Sequence, residues 1–133
     1  MVPEISIVVP VHNEAGAAAP LAREIAQAFA GLWLMLRTQH NAWIHLSATM
    51  AVLGAGLALQ VRPADWRWLI AALAVVWTAE AMNTAFEHLC DVVSPEFHAG
   101  VQRCKDVAAG AVLICAIAAA ILGAITFWPY VFG

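Results

Sequence analysis

The sequence predicts an all-α membrane protein with three transmembrane helices preceded by an amphipathic surface helix. Three observations carry that reading. Of 133 residues, 63% are hydrophobic and only 11% charged, and the mean hydropathy is +0.80. A soluble domain averages about 25% charged residues, so this chain lacks the polar surface that a water-soluble globule of its size requires. Second, the apolar residues fall into three runs near the length that crosses a bilayer, about 20 residues each. Third, the few carboxylates inside those runs fall on one helical face.

The surface helix is expected from about residue 21 to 38, where apolar groups recur at helical spacing with Arg23, Glu24, Gln27 and Arg37 between them. Its apolar stretch from Phe29 to Leu36 is too short to cross. Span one is expected at about 42–61, ending before the turn residues Pro63, Ala64 and Asp65. Trp66, Arg67 and Trp68 are residues that anchor a helix end at the headgroups. Span two follows at about 68–90. Ser94-Pro95 is expected to open a new helix, with Ser as N-cap and Pro at the first helical position. Span three, about 107–127, carries no charge, and Trp128, Pro129 and Tyr130 supply an aromatic border and a stop. Gly54, Gly56 and the small residues Ala108 to Ala111, Gly123 and Ala124 are expected to allow close helix packing.

Arg23, Arg37, Arg103 and Lys105 lie on one side of these spans and Arg62 and Arg67 on the other, which places the N-terminus and the Glu96 to Asp106 segment in the cytoplasm. The expected location is therefore the inner (plasma) membrane, multi-pass. A net charge of -3 argues against nucleic acid as a partner. Cys90, Cys104 and Cys115 are odd in number, with Cys115 deep in an apolar run, and are read as free thiols. No basic segment followed by an uninterrupted apolar stretch stands at the N-terminus, so no cleaved signal peptide is expected.

The chemistry lies in span two. On a helix turning about 100° per residue, Asn83, Glu87 and Asp91 fall at roughly -60°, -20° and +20° from Glu80, and Thr84 near +40°. Asn83 and Thr84 alone would read as glue between helices. Two glutamates and an aspartate in line are different, because their mutual repulsion requires protons, metals or other cations nearby. Carboxylates with an amide are hard oxygen ligands suited to Mg2+, which commonly accompanies phosphates. Lys105, the chain's one lysine, stands beside Asp106 at the entrance to span three. That pair taken alone is a snorkelling cation with a capping acid. No GxxxxGK[ST] loop or protein-kinase glycine loop is present, so a nucleotide would be held by these groups and their metals. His40 and His45 read as headgroup-level hydrogen bonders. His88, Cys90, His98 and Cys104 fit no common zinc spacing.

The segment AEAMNTAFEHLCDVVSPEFHAGVQRCKDVAAGAVL resembles the signature region of the small prokaryotic diacylglycerol kinase and undecaprenol kinase family. It carries the E-x-x-N-[ST]-A-[IF]-E core, then D, E-[YF]-H and K-D at matching separations. RTQHNAWIHL, before span one, looks like the undecaprenol-kinase branch. The resemblance implies a homotrimer with active sites between subunits, moving the γ-phosphoryl of MgATP to the hydroxyl of a membrane lipid, undecaprenol or diacylglycerol. Carried over by position, Glu80 is the general base and Asn83 helps position the hydroxyl. Glu87 binds the metal. Asp91, Lys105 and Asp106 serve the nucleotide, with Glu96 and His98 on the loop that shapes its site. Gln39 stands where the family commonly has a metal-directed glutamate. The competing expectation is an inactive relative that acts as a membrane scaffold or binds cations without chemistry.

Residues 1–20 differ in character. SIVVPVHNE resembles the opening strand and loop of family 2 glycosyltransferases, but neither an Asp-x-Asp motif nor the remaining α/β domain follows. This stretch is expected to be a vestigial extension of the membrane domain at 21–133. Deleting residues 1–20 is therefore expected to leave membrane insertion and lipid phosphorylation within about twofold of the full chain, because no site residue lies upstream. Loss of phosphorylation at unchanged expression would assign the extension a role.

Overall fold

The computed structural model describes residues 18–133, with side chains from Pro20 onward. The glycosyltransferase-like segment lies outside the described residues. The described residues form four α-helices and no strand: α1 (Ala18–Thr38), α2 (His40–Ala58), α3 (Pro63–Val93) and α4 (Ala99–Phe132). The chain divides into two units, Met1–Trp33 and Leu34–Gly133. In the first, α1 exposes Leu21, Ile25, Phe29 and Leu32, a stripe at helical spacing.

In the second unit, a single extended residue, Gln39 (φ -106°, ψ 119°), separates α1 from α2. Helix α2 begins two residues earlier than the expected span and ends at Ala58. Its end is a Schellman motif: the Val61 N–H donates to the Gly56 carbonyl at 3.0 Å and the Gln60 N–H to that of Leu57 at 3.2 Å. The motif requires a left-handed residue, and Gln60 supplies it at φ 53°. Gly56 is buried with the Trp66 ring so close that a Cβ would lie 2.7 Å from it, whereas Gly54 faces open space. Of Gly54, Gly56, Gly110 and Gly123, only Gly56 has another side chain of this chain against it.

Helix α3 starts with Pro63 behind Arg62 as N-cap, where a missing N–H costs nothing. The expected helix start at Ser94 is not found. Ser94 is instead the C-cap of α3, its N–H bonded to the Cys90 carbonyl at 2.9 Å. Pro95 disfavours helical geometry in the residue before it, so Ser94 (φ -142°, ψ 82°) ends one helix and the next waits until Ala99. There His98 caps α4, its Nδ1 accepting from the Gly100 N–H at 3.1 Å. Pro129 does not stop α4 either, which continues to Phe132. The last turn is held by Tyr130, whose hydroxyl donates to the Asp65 carboxylate and accepts from the Arg62 backbone N–H at 3.1 Å and Nε at 3.2 Å. These bonds, with Asp65 beside it, hold the exposed Arg62 guanidinium above its ordinary pKa.

Helices α3 and α4 are long and apolar enough to cross a membrane. Helix α2 has 19 residues and is polar near its start, at His40, Asn41 and His45. The uncharged run 107–127 measures about 31 Å as helix, near the hydrocarbon thickness, so the turns of α4 carrying Arg103, Lys105 and Asp106 extend past it. Helix α3 packs mainly on α4 and also on α2. Its buried face runs Leu69, Ala72, Val76, Glu80, Asn83 and Thr84, at three- and four-residue steps, with both Asn83 and Thr84 following Glu80. Large apolar side chains point outward instead, among them Ile70, Met82 and Phe86 on α3 and Ile114, Ile121 and Ile125 on α4. Cys90, Cys104 and Cys115 are free thiols.

Gln60 marks a local strain that glycine would remove. Gln60→Gly is expected to raise stability by about 1 kcal/mol, because glycine enters the left-handed region without a Cβ penalty. A higher thermal unfolding midpoint in detergent checks it; a lowered midpoint would show that the Gln60 side chain contributes more than its backbone costs.

Candidate active site

Seven residues, about two helical turns, separate Glu80 from Glu87, so their backbones lie about 10 Å apart along α3. Glu80 is fully buried, and neither carboxylate oxygen has a hydrogen-bond partner among the described residues. Asn83 Oδ1 and Thr84 Oγ1 are also buried without one. An unsatisfied buried polar group costs about 1–3 kcal/mol, more for a charge, so four such atoms on one face mark a place built to receive something. The nearest cationic candidate for Glu80 is His45 Nε2, 3.7 Å from Oε2.

Glu87 is half-buried, and both of its oxygens are engaged. Gln39 Nε2 donates to Oε2 at 2.9 Å, and Asn83 Nδ2 donates to Oε1 at 3.1 Å. The one-residue break between α1 and α2 is what lets Gln39 reach across 48 positions of sequence to α3. Each amide gives an N–H to the carboxylate and keeps a carbonyl oxygen. The donor set, a carboxylate and two amide oxygens, is of a kind that suits a hard cation also held by phosphates, but here the amides turn their N–H groups, not their oxygens, to the carboxylate. Among the described residues no three His, Cys, Asp or Glu side chains are gathered as a metal site. The acids are strung along one helix rather than closed around a point.

Beyond the apolar spans, Lys105 Nζ lies 2.5 Å from Asp91 Oδ1, joining the end of α3 to the start of α4. That hydrogen bond is the main reason the ammonium sits above its ordinary pKa. Gln102 Nε2 donates to Asp106 Oδ1 at 2.8 Å, one turn away. Glu96 and His98 are exposed in the connection between the helices. The Glu96 carbonyl accepts from Ser94 Oγ at 3.1 Å, and His98 is occupied as the α4 cap. The expected site residues therefore form two groups: Gln39, Asn83 and Glu87 with Glu80 beside them, and Asp91 with Lys105. Asp106, Glu96 and His98 make no hydrogen bond to either.

Two features escaped the sequence. His45, expected at headgroup level, faces the buried Glu80. Next to it, an apolar cavity of about 180 Å³ lies between α2, α3 and α4, with His45, Thr49 and Trp77 on its wall and the small residues Ala116, Ala119, Ala120 and Gly123 opposite. A histidine inside an apolar run, with an intramembrane carboxylate on the next span, is the sequence signal that the headgroup-level reading passed over.

Residues 26–127 match the family model for prokaryotic diacylglycerol kinase. The chain is 32% identical to the undecaprenol kinase of Bacillus subtilis over 74% of this chain and 80% of that protein. It is 33% identical to the diacylglycerol kinase of Synechocystis over 96% of this chain and 79% of that protein. The diacylglycerol kinase of Escherichia coli K12 is 32% identical over 74% and 84%. With a match that spans Gln39, the whole acidic face of α3 and the Lys105-Asp106 pair, the chain belongs to the prokaryotic diacylglycerol kinase family.

Proposed function

We propose that this chain is an integral-membrane lipid kinase that transfers the γ-phosphoryl of MgATP to a lipid hydroxyl, with undecaprenol ahead of diacylglycerol as acceptor. The observation that carries the reading is the buried Glu80 carboxylate, without a hydrogen-bond partner, one turn from the Asn83–Glu87–Gln39 cluster. The undecaprenol preference draws on the RTQHNAWIHL segment and the similarity to the Bacillus subtilis protein.

Phosphoryl transfer to an alcohol needs positioning, charge neutralisation and a base for the attacking hydroxyl. Glu80 takes the proton from the acceptor hydroxyl, and Asn83, one turn on, orients that hydroxyl. Glu87 and Gln39 would hold Mg2+, which would supply charge neutralisation at the phosphates. Asp91, Lys105 and Asp106 take the nucleotide beyond the apolar spans, with Glu96 and His98 bordering it. In this reading α2 is a third span beside α3 and α4, and the protein is a multi-pass homotrimer of the inner (plasma) membrane with this end cytoplasmic. The outward apolar faces of α3 and α4 support a lipid or subunit environment. Transfer of radiolabelled phosphate from ATP to undecaprenol and to diacylglycerol, run side by side on the purified chain, tests the proposal. No label in either lipid overturns it.

Glu80→Gln is expected to lower turnover by about 10²- to 10⁴-fold while the protein still folds, because it removes a base but keeps size and hydrogen-bonding capacity. A near-wild-type rate removes Glu80 from that role. Gln39→Glu replaces an amide–carboxylate hydrogen bond with two facing carboxylates, which a divalent cation neutralises. The expected result is a lower Mg2+ concentration for half-maximal activity at fixed ATP. An unchanged Mg2+ requirement would place the metal away from Gln39.

A further inference from the structure

His45 stands in the second turn of α2 and is fixed on several sides. Its ring meets Trp77 edge-on, at a centroid distance of 6.4 Å and an interplanar angle of 64°. Trp77 Nε1 donates to Thr49 Oγ1 at 3.0 Å, and Thr49 Oγ1 donates in turn to the His45 carbonyl at 2.7 Å. Histidine, threonine and tryptophan thus close a ring of contacts between α2 and α3. Trp77 lies three residues before Glu80, so the ring is built against the helical turn that carries the carboxylate. Within it, His45 Nε2 is directed at Glu80 Oε2, 3.7 Å away. That exceeds a hydrogen bond but lies well within electrostatic reach, on a carboxylate with no hydrogen-bond partner. The same imidazole also borders the apolar cavity of about 180 Å³.

We propose that His45 is the positioning residue of Glu80. It engages Oε2 and leaves Oε1 to meet an acceptor hydroxyl whose apolar chain lies along the cavity His45 borders. This inference rests on the reading of Glu80 as the base. It goes beyond that reading because it assigns the carboxylate's orientation to a side chain on another helix.

The test uses the full chain in lipid bicelles with undecaprenol and ATP. His45→Leu is expected to lower kcat by about 10- to 100-fold, the scale of a misplaced reacting group, and to leave KM for ATP within about twofold. His45→Gln, which keeps an N–H donor near the place of Nε2, is expected to recover most of the rate. A wild-type kcat in His45→Leu, or equal loss in both variants, overturns the proposal. Glu80→Gln run in parallel separates the two levels, since a near-wild-type rate there defeats the base assignment itself. A readout independent of activity covers the case in which His45→Leu fails to assemble. In ¹⁵N spectra of the histidine side chains of the full chain, the His45 signal is expected to shift on Glu80→Gln, and an unmoved signal overturns the pairing.

Discussion

The burial of Glu80 on the packing face of α3 is the constraint around which the other features are arranged. A carboxylate inside a protein and among apolar spans is costly unless something compensates it. Among the described residues the group placed to compensate it is His45 from α2, 3.7 Å away, while Asn83, one turn along, turns its amide to Glu87 a further turn toward the polar end. The apolar half of the same face, Leu69, Ala72 and Val76, packs the helices together and holds the polar half in register. One stripe therefore packs the helices at one end and carries the proposed site at the other.

The polar interior is matched by an apolar exterior. Ile70, Met82, Phe86, Ile114, Ile121 and Ile125 are exposed, whereas Glu80, Asn83 and Thr84 are buried. Water would reverse that distribution, because exposed apolar surface is unfavourable and buried polar groups lose hydration. In a hydrocarbon surrounding the outward side chains cost little, and the interior becomes the one place where polar groups can meet partners. A lipid kinase must bring a hydroxyl borne by an apolar molecule to a charged nucleotide. In the proposed reading, the polar face that starts inside the apolar spans at Glu80 and emerges at Asp91 and Lys105 covers that distance.

The two ends of the α3–α4 pair are closed by different means. At one, Tyr130 ties the last turn of α4 to Arg62, the N-cap of α3, and to Asp65 in its first turn. At the other, Lys105 joins Asp91 across the short non-helical connection. Both ties span adjoining helices at the borders of the apolar runs, where polar groups are cheapest to keep and the chain must change direction.

The four helices, the acidic face and the family were legible in the sequence, because apolar run length and the 3.6-residue period are local properties and the Glu80 to Asp106 motif is contiguous. Helix boundaries were less so. Ser94-Pro95 fits an N-cap pattern as well as a helix end, and the backbone restriction that proline places on Ser94 decided between them. Pro129 can end a helix or be carried in its final turns, and the Tyr130 bonds to the α2–α3 turn favour the second. Contacts between helices were not legible from periodicity. Gln39 with Glu87 was reachable only through the family resemblance, and His45 with Glu80 and Gly56 against Trp66 depend on how α2 and α3 are rotated and offset against each other. A linear sequence specifies which side chains share a face of one helix. Which residue of another helix meets that face is set by the packing of all three, a non-local property that only the tertiary structure decided.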